Sequence, residues 1–295
     1  SPMSSESLFS PAKINLFLSV AGRRTDGFHD LISLAAPVGF GDEIDLERSS
    51  DHGVFLQCNQ LDLPTDERNL VVRALMGFQA RTGDRGGWQV YLRKRIPVGG
   101  GLGGGSSNAA SVLLAANRMC GYPLSEEQLI ELAAGIGSDC PLFLREAPCV
   151  MRGRGELTEK VEDSVHRRLR GRKVALFWPC FSISTSWAYD NLDNCAGSFS
   201  SPSNAENTLT TWLTGEQPAE DLVANDFEPV LNNKFPTFSV LLNDFRKTVG
   251  AGCSISGSGS ACFAFAHDES TVDELENRVR SAWGERAGFE RAALL

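Results

Sequence analysis

Apolar residues recur along the chain with two periods, and the period assigns the elements. Lys13–Val20 is apolar apart from Lys13, Asn15 and Ser19, the pattern of a buried strand. Glu43–Arg48 and Val54–Asn59 alternate apolar with polar residues and predict two strands around a turn at Ser50-Asp51-His52-Gly53. Between Asn69 and Arg81, Leu70, Val71, Ala74, Leu75 and Phe78 keep helical spacing. Trp88–Ile96 alternates again and predicts a strand. Ala109–Cys120 predicts a helix, and Ser125-Glu-Glu-Gln128 is a capping box opening another through Ala134. Gly135–Pro141 breaks that helix and starts a short element, and Phe143–Met151 predicts a strand.

Lys160–Lys173 is charge-rich and predicts a solvated linker. Val174–Trp178 opens a second half as a strand. Asn194–Asn204, rich in Ser, Asn and Gly, predicts a loop. Asp221–Leu231, Pro236–Lys247 and Ser270–Ala282 predict helices, and Cys253–Phe265 a small-residue loop with a strand. Strands and helices interleave without a strict βαβ rhythm, which implies an α+β fold of two subdomains.

The most unusual segment is Pro97-Val-Gly-Gly-Gly-Leu-Gly-Gly-Gly-Ser-Ser-Asn108, with six glycines among residues 99–105. Glycine costs about 0.5–1 kcal/mol relative to alanine inside a helix or strand, so this segment is a loop. Ser106, Ser107 and Asn108 are good N-cap residues, and a helical pattern follows at once. A strand, a loop bare of side chains and a helix N-terminus together make an anion site suited to phosphate. No lysine follows the glycines, so the P-loop pattern fails. Gly99, Gly101 and Gly104 satisfy G-x-G-x-x-G only because nearly every position is glycine, and no acidic strand end follows where a dinucleotide site requires one. The protein kinase signatures H-R-D and D-F-G do not occur.

The chain has 295 residues and a formal net charge of −9, enough length for a full-sized core and the wrong sign for a general nucleic-acid binder. No run approaches a membrane span, and Ser1–Ser7 lacks the character of a secretion signal. Ser1-Pro2 ahead of Met3 is set aside as an addition from expression. The eight cysteines (58, 120, 140, 149, 180, 195, 253 and 262) form no C-x-x-C pair, and four scattered histidines give no zinc spacing. Buried, reduced thiols and a cytoplasmic location are expected, with no metal site of the chain's own.

The glycine segment resembles the phosphate loop of the GHMP kinases. Two further segments stand in the order of that family: Pro11-Ala-Lys-Ile-Asn-Leu16 and Gly250-Ala-Gly-Cys-Ser-Ile-Ser-Gly257-Ser-Gly-Ser-Ala261. The resemblance runs from about residue 8 to 265. It implies a ribosomal-protein-S5-like N-terminal part (8–159) and a ferredoxin-like C-terminal part (174–290). It also implies an ATP-dependent small-molecule kinase using Mg²⁺. The nucleotide would lie on Asn69, Leu70, Pro97, Val98, Gly99, Gly100, Gly101, Leu102, Gly103, Gly104, Gly105, Ser106 and Ser107. Asn69 and Leu70 would lie near the adenine, and Ser107 is the nearest candidate toward the metal.

Arg24-Thr-Asp-Gly-Phe-His29 and Gly137-Ser-Asp-Cys-Pro141 narrow the resemblance to members that phosphorylate a cytidine diphosphate-linked sugar alcohol in non-mevalonate isoprenoid synthesis. Asp139 would then be the general base, and Lys13 would hold Asp139 ionised and stabilise charge on the reacting oxygens. Asn15, Phe28, His29, Asp139, Gly257, Ser258 and Gly259 would meet the substrate, with Phe28 stacking on the base. Phe28 stands where the family often has tyrosine, so the aromatic face survives and the phenol hydroxyl does not. From the residues alone, Asp139 is equally an N-cap, Lys13 a strand-edge lysine with its head in water, His29 a surface turn residue and Gly257–Gly259 a β-turn. Another GHMP kinase (homoserine, mevalonate or galactose type), an inactive nucleotide-binding regulator and a dinucleotide oxidoreductase stand as alternatives.

Overall fold

The computed structural model describes residues 5–194 and 201–295. Ser1-Pro2, Cys195 and most of the loop expected over 194–204 lie outside the described residues. The chain forms two compact units, each combining helices with sheet. The first holds the residues up to Ala12, Gly41–Pro97 and Gly103–Glu146; the second holds Lys13–Phe40, Val98–Leu102 and Ala147–Leu295.

Two long strands, β1 (Ser5–Arg23) and β2 (His29–Ser49), run through the early chain. In the first unit β3 (Val54–Cys58) and β4 (Gly87–Arg93) extend their sheet in the order β3-β4-β2-β1. The unit's helices are α1 (Leu70–Thr82), which lies against β3, and α2 (Gly104–Met119), α3 (Glu126–Ile136) and α4 (Cys140–Arg145), which pack with α1 and on one another. Val71, Leu75 and Phe78 of α1 are buried, and Phe78 meets Trp88 of β4 edge-on at 6.5 Å. The expected hairpin of 43–48 with 54–59 does not form. Instead β4 lies between them, antiparallel to β2 (Leu46↔Val90) and parallel to β3 (Leu56↔Val90). Parallel neighbours need a crossover, and α1 supplies it. Alternation marks the face a residue takes, not the neighbour its strand chooses.

In the second unit β1 pairs with β8 (Ala224–Asn225), and β2 pairs with β5 (Cys149–Arg152), itself paired with β6 (Leu157–Lys160). A separate antiparallel sheet has the order β11-β7-β10-β9, from β7 (Lys173–Trp178), β9 (Cys253–Ile255), β10 (Cys262–Phe265) and β11 (Gly288–Ala293). Its helices are α5 (Asp163–Leu169), α6 (Thr185–Asn194), α7 (Pro202–Thr214), α8 (Glu228–Lys234), α9 (Pro236–Asp244) and α10 (Glu269–Trp283).

Several expectations are corrected here. The charged stretch 160–173 contains α5, because Val165 and Leu169 bury one face while Arg167 stays exposed and Arg168 lies over the Trp212 ring. Residues 202–204 open α7 rather than ending a loop, with Pro202 in the first turn where its missing N–H costs nothing. Residues 221–231 are not one helix: a short strand at Ala224–Asn225 interrupts them, and Asn225 donates to the Ile255 and Gly257 carbonyls. Phe143–Arg145 belongs to α4, and strand begins only at Cys149. Seven described cysteines are free, but only Cys140, Cys149, Cys253 and Cys262 are buried, so burial does not hold for the set. Among the described residues no helix is long and apolar enough to cross a membrane.

Candidate active site

The glycine loop takes a backbone that only glycine adopts without strain. Gly99, Gly101 and Gly103 have φ of 68°, 81° and 72°, alternating with residues of negative φ. Such alternation turns successive N–H groups toward one side and forms an anion-binding concavity. The helix start differs from expectation. Gly103 is the N-cap of α2 and makes no side-chain cap, so the helix opens at Gly104, ahead of Ser106–Asn108. Glycine is tolerated there because the first-turn N–H groups have no helical acceptor to lose. Gly104, Gly105 and Ser106 therefore present the open donors of α2, whereas the Ser107 N–H is already on the Gly103 carbonyl at 2.9 Å. A Cβ on Gly105 would meet only Leu70 Cδ1, at 3.7 Å, so the space before this turn stays clear.

In the first unit, residues of three segments gather around that turn. Asn69 caps α1, accepting from Val71 N at 3.0 Å and donating to the Pro64 carbonyl at 3.0 Å. A Cβ on Gly137 would lie 3.2 Å from Cys140 Sγ, 3.6 Å from Ser106 Oγ and 3.7 Å from Leu70 Cδ1. Asp139 occupies the N-cap position of α4, yet its carboxylate makes no capping hydrogen bond, which sets aside the N-cap alternative. Burial pushes the neighbouring Cys140 thiol up to about 12 despite a hydrogen bond with Ser106, so it stays protonated. Ser107 is 0% exposed, and its hydroxyl is 2.8 Å from Ser10 Oγ. Its side chain points into the protein and does not fit a role as metal ligand.

In the second unit Lys13 is 3% exposed, which removes the strand-edge alternative. Its Nζ donates to Asn15 Oδ1 at 2.5 Å, and the same oxygen accepts from Gly257 N at 2.9 Å. Asn15 Nδ2 donates to Ser33 Oγ at 2.8 Å, which in turn donates to the Phe17 carbonyl at 2.6 Å. The third motif is indeed a turn, joining β9 to β10, and it is also tied to the glycine loop. Ser256 Oγ donates to the Gly101 carbonyl at 2.9 Å, and Ala261 N to the Gly100 carbonyl at 2.9 Å. Ser258 Oγ donates to Thr185 Oγ1 at 3.2 Å. A Cβ on Gly101 would lie 2.1 Å from the Ser256 carbonyl oxygen. Gly101→Ala is therefore expected to lower Tm and to raise KM for ATP at least about tenfold. Gly121→Ala, at φ 79° with nothing within 4 Å, is the control that carries backbone strain without the clash. Melting curves and ATP titrations of both variants check this.

Arg24–His29 makes a tight turn in which Gly27, at φ 87°, donates to the Arg24 carbonyl, and Phe28 N donates to Asp26 Oδ1 at 3.1 Å. Phe28 is 50% exposed, and the Arg154 guanidinium lies 4.6 Å from its ring centroid. His29 is buried rather than on the surface, with Nε2 2.6 Å from Asp193 Oδ1 and its ring stacked on Tyr189 at 4.6 Å. Tyr189, Asp193, Arg154, Ser33 and Ser256 were not legible as site residues.

Open backbone donors before a helix, a buried lysine and a carboxylate are the kinds of group that phosphoryl transfer uses. The chain matches the family models described as GHMP kinases N terminal domain, over residues 69–146, and GHMP kinases C terminal, over residues 215–285. It belongs to the GHMP kinases, the ATP-dependent small-molecule kinases. Over 266 residues it is 36% identical to the 4-diphosphocytidyl-2-C-methyl-D-erythritol kinase of Methylacidiphilum infernorum, covering 88% of this chain and 86% of the relative. The protein of the same name from Syntrophotalea carbinolica is 34% identical, covering 96% and 97%. A crystal structure of 4-(cytidine 5'-diphospho)-2C-methyl-D-erythritol kinase is similar at a TM-score of 0.77 and 32% identity, covering 98% of this chain and 99% of that one. A homoserine kinase from Cytophaga hutchinsonii reaches the same TM-score at 18% identity and shares the fold alone.

Proposed function

We propose that the chain transfers the terminal phosphoryl group of ATP to a hydroxyl of 4-diphosphocytidyl-2-C-methyl-D-erythritol, a step of non-mevalonate isoprenoid synthesis in the cytoplasm. The fold is common to kinases of several alcohols, so the acceptor must be argued from the site. The observation that carries it is the Arg24–His29 turn. It offers a half-exposed aromatic face beside a histidine already oriented by Asp193 and Tyr189, a setting suited to a flat, hydrogen-bonding base. The relatives at 32–36% identity named for the cytidine-linked substrate support the same reading. Residues 8–159 and 174–290 are the two kinase domains on this reading, and the family matches at 69–146 and 215–285 fall inside them.

The glycine loop and first turn of α2 hold the polyphosphate, with Asn69 and Leu70 near the adenine. Asp139 takes the proton from the acceptor hydroxyl, and Lys13 supplies positive charge to the reacting oxygens. Asn15 and Gly257–Gly259 position the substrate. Mg²⁺, when bound, neutralises the transferred phosphoryl group, and no side chain of this chain is assigned to it.

Incubation with ATP, Mg²⁺ and each of three acceptors (the cytidine-linked alcohol, homoserine and mevalonate) tests the reading by mass spectrometry. One added phosphate on the first acceptor alone is expected; phosphorylation of either other acceptor in its place overturns it. His29→Ala is expected to raise KM for the cytidine substrate at least about tenfold and to leave KM for ATP within about twofold. Equal changes in the two constants, measured by steady-state kinetics, would remove His29 from base recognition.

A further inference from the structure

A buried ion pair in the first unit lies beside the first turn of α2 and has no part in the chemistry above. Lys94 and Asp42 are 4% and 0% exposed, with Nζ 2.5 Å from Oδ2. Asp42 Oδ1 accepts from Arg95 N at 2.7 Å and from Ile96 N at 2.9 Å, the two amides that lead into Pro97. Its Oδ2 also accepts from Asn108 Nδ2 at 2.9 Å, and Lys94 Nζ donates to Asn108 Oδ1 at 3.2 Å. Asn108 Nδ2 reaches Ser10 Oγ at 2.9 Å, which meets Ser107 Oγ. A Cβ on Gly104 would lie 2.8 Å from Lys94 Nζ and 3.0 Å from Ile96 Cγ2. The first turn of α2 therefore rests on the ammonium itself.

Burying two charges costs several kcal/mol of desolvation, and an apolar pair of the same volume is often no less stable. Stability alone is a poor reason for such a pair here. What the network does that an apolar pair could not is hold both ends of one loop. The Asp42 carboxylate fixes the entry at Arg95 and Ile96, while Lys94 and Asn108 fix the exit at Gly104 and Ser107. A loop bare of side chains needs outside anchors to aim its N–H groups: Ser256 and Ala261 hold its middle, this network holds its ends, and small misplacements of donors cost binding steeply.

We propose that Lys94, paired with Asp42, is a positioning residue for the nucleotide: it sets the entry and exit of the phosphate loop so that its open amides converge on the polyphosphate. This rests on the phosphate-loop reading given above. Lys94 touches no reacting atom and acts through Gly104.

The test compares Lys94→Met with the double variant Lys94→Met/Asp42→Asn, which removes both charges and leaves no lone buried carboxylate. Binding of a non-hydrolysable ATP analogue and of the cytidine substrate is measured by calorimetry, alongside kcat and melting. Both variants are expected to bind the analogue at least about tenfold more weakly, with the cytidine substrate within about twofold and kcat at saturating ATP within about threefold. If the single variant does not fold, the double variant decides. A folded double variant that binds the analogue as wild type does overturns the proposal, as does equal weakening of both ligands. Wild-type protein that fails to bind the analogue at all overturns the phosphate-loop reading, and the proposal falls with it.

Discussion

Replacing Asp139 with asparagine is expected to lower kcat at least about a hundredfold, about 2.7 kcal/mol of barrier, with Tm within a degree or two of wild type. The expectation of an intact fold has a structural basis. An aspartate that caps a helix contributes typically about 1 kcal/mol, and its loss would show in melting. Asp139 stands at the N-cap position of α4 but makes no such bond, and asparagine is nearly isosteric. What the variant loses is a carboxylate able to take a proton. Steady-state kinetics beside calorimetric melting separates the two roles. Turnover near the wild-type rate would remove Asp139 from the mechanism, whatever the melting curve shows.

Lys13→Met is expected to cut kcat by about 10²–10³, the range found when one preorganised charge-stabilising donor is removed, with a much smaller fractional loss of stability. Methionine is preferred to alanine because it fills the volume of the lysine stem and avoids a cavity. Asn15 Oδ1 keeps its bond from Gly257 N in the variant, so the third motif retains an anchor. A lysine that served only to satisfy Asn15 would show the opposite pattern, with turnover falling no further than the folded fraction. Parallel measurement of kcat and of the melting transition reads that difference directly.

The residues around these two positions show which parts of the molecule local sequence can reveal. The capping box at Ser125–Gln128 forms with both of its hydrogen bonds, because it is built within four residues. The helices at 69–81, 125–134 and 270–282 lie where their periodicity places them, within a residue or two. By contrast, no local pattern announces that β4 separates β2 from β3, since that choice depends on where α1 returns the chain. The long strand β2 was half hidden by Pro37, Gly39 and Gly41. Gly41 is needed there because a Cβ would fall 2.3 Å from the Ser10 carbonyl of the neighbouring strand. The glycine loop was legible because so many glycines suit only a loop that needs positive φ or close approach, and both occur in it. The inward turn of Ser107 was not, because its partner Ser10 lies 97 residues away. Tyr189 and Asp193 were missed for the same reason: their meaning depends on His29, 164 residues before Asp193.

The contact between Gly101 and Ser256 has an evolutionary consequence. Two stretches of gene separated by about half the coding length specify a single surface, one main chain laid against another with no room for a methyl group. Drift in either stretch is tolerable only when the other follows. Hybrids that join the front of this enzyme to the back of a distant cousin would inherit two halves that no longer mesh.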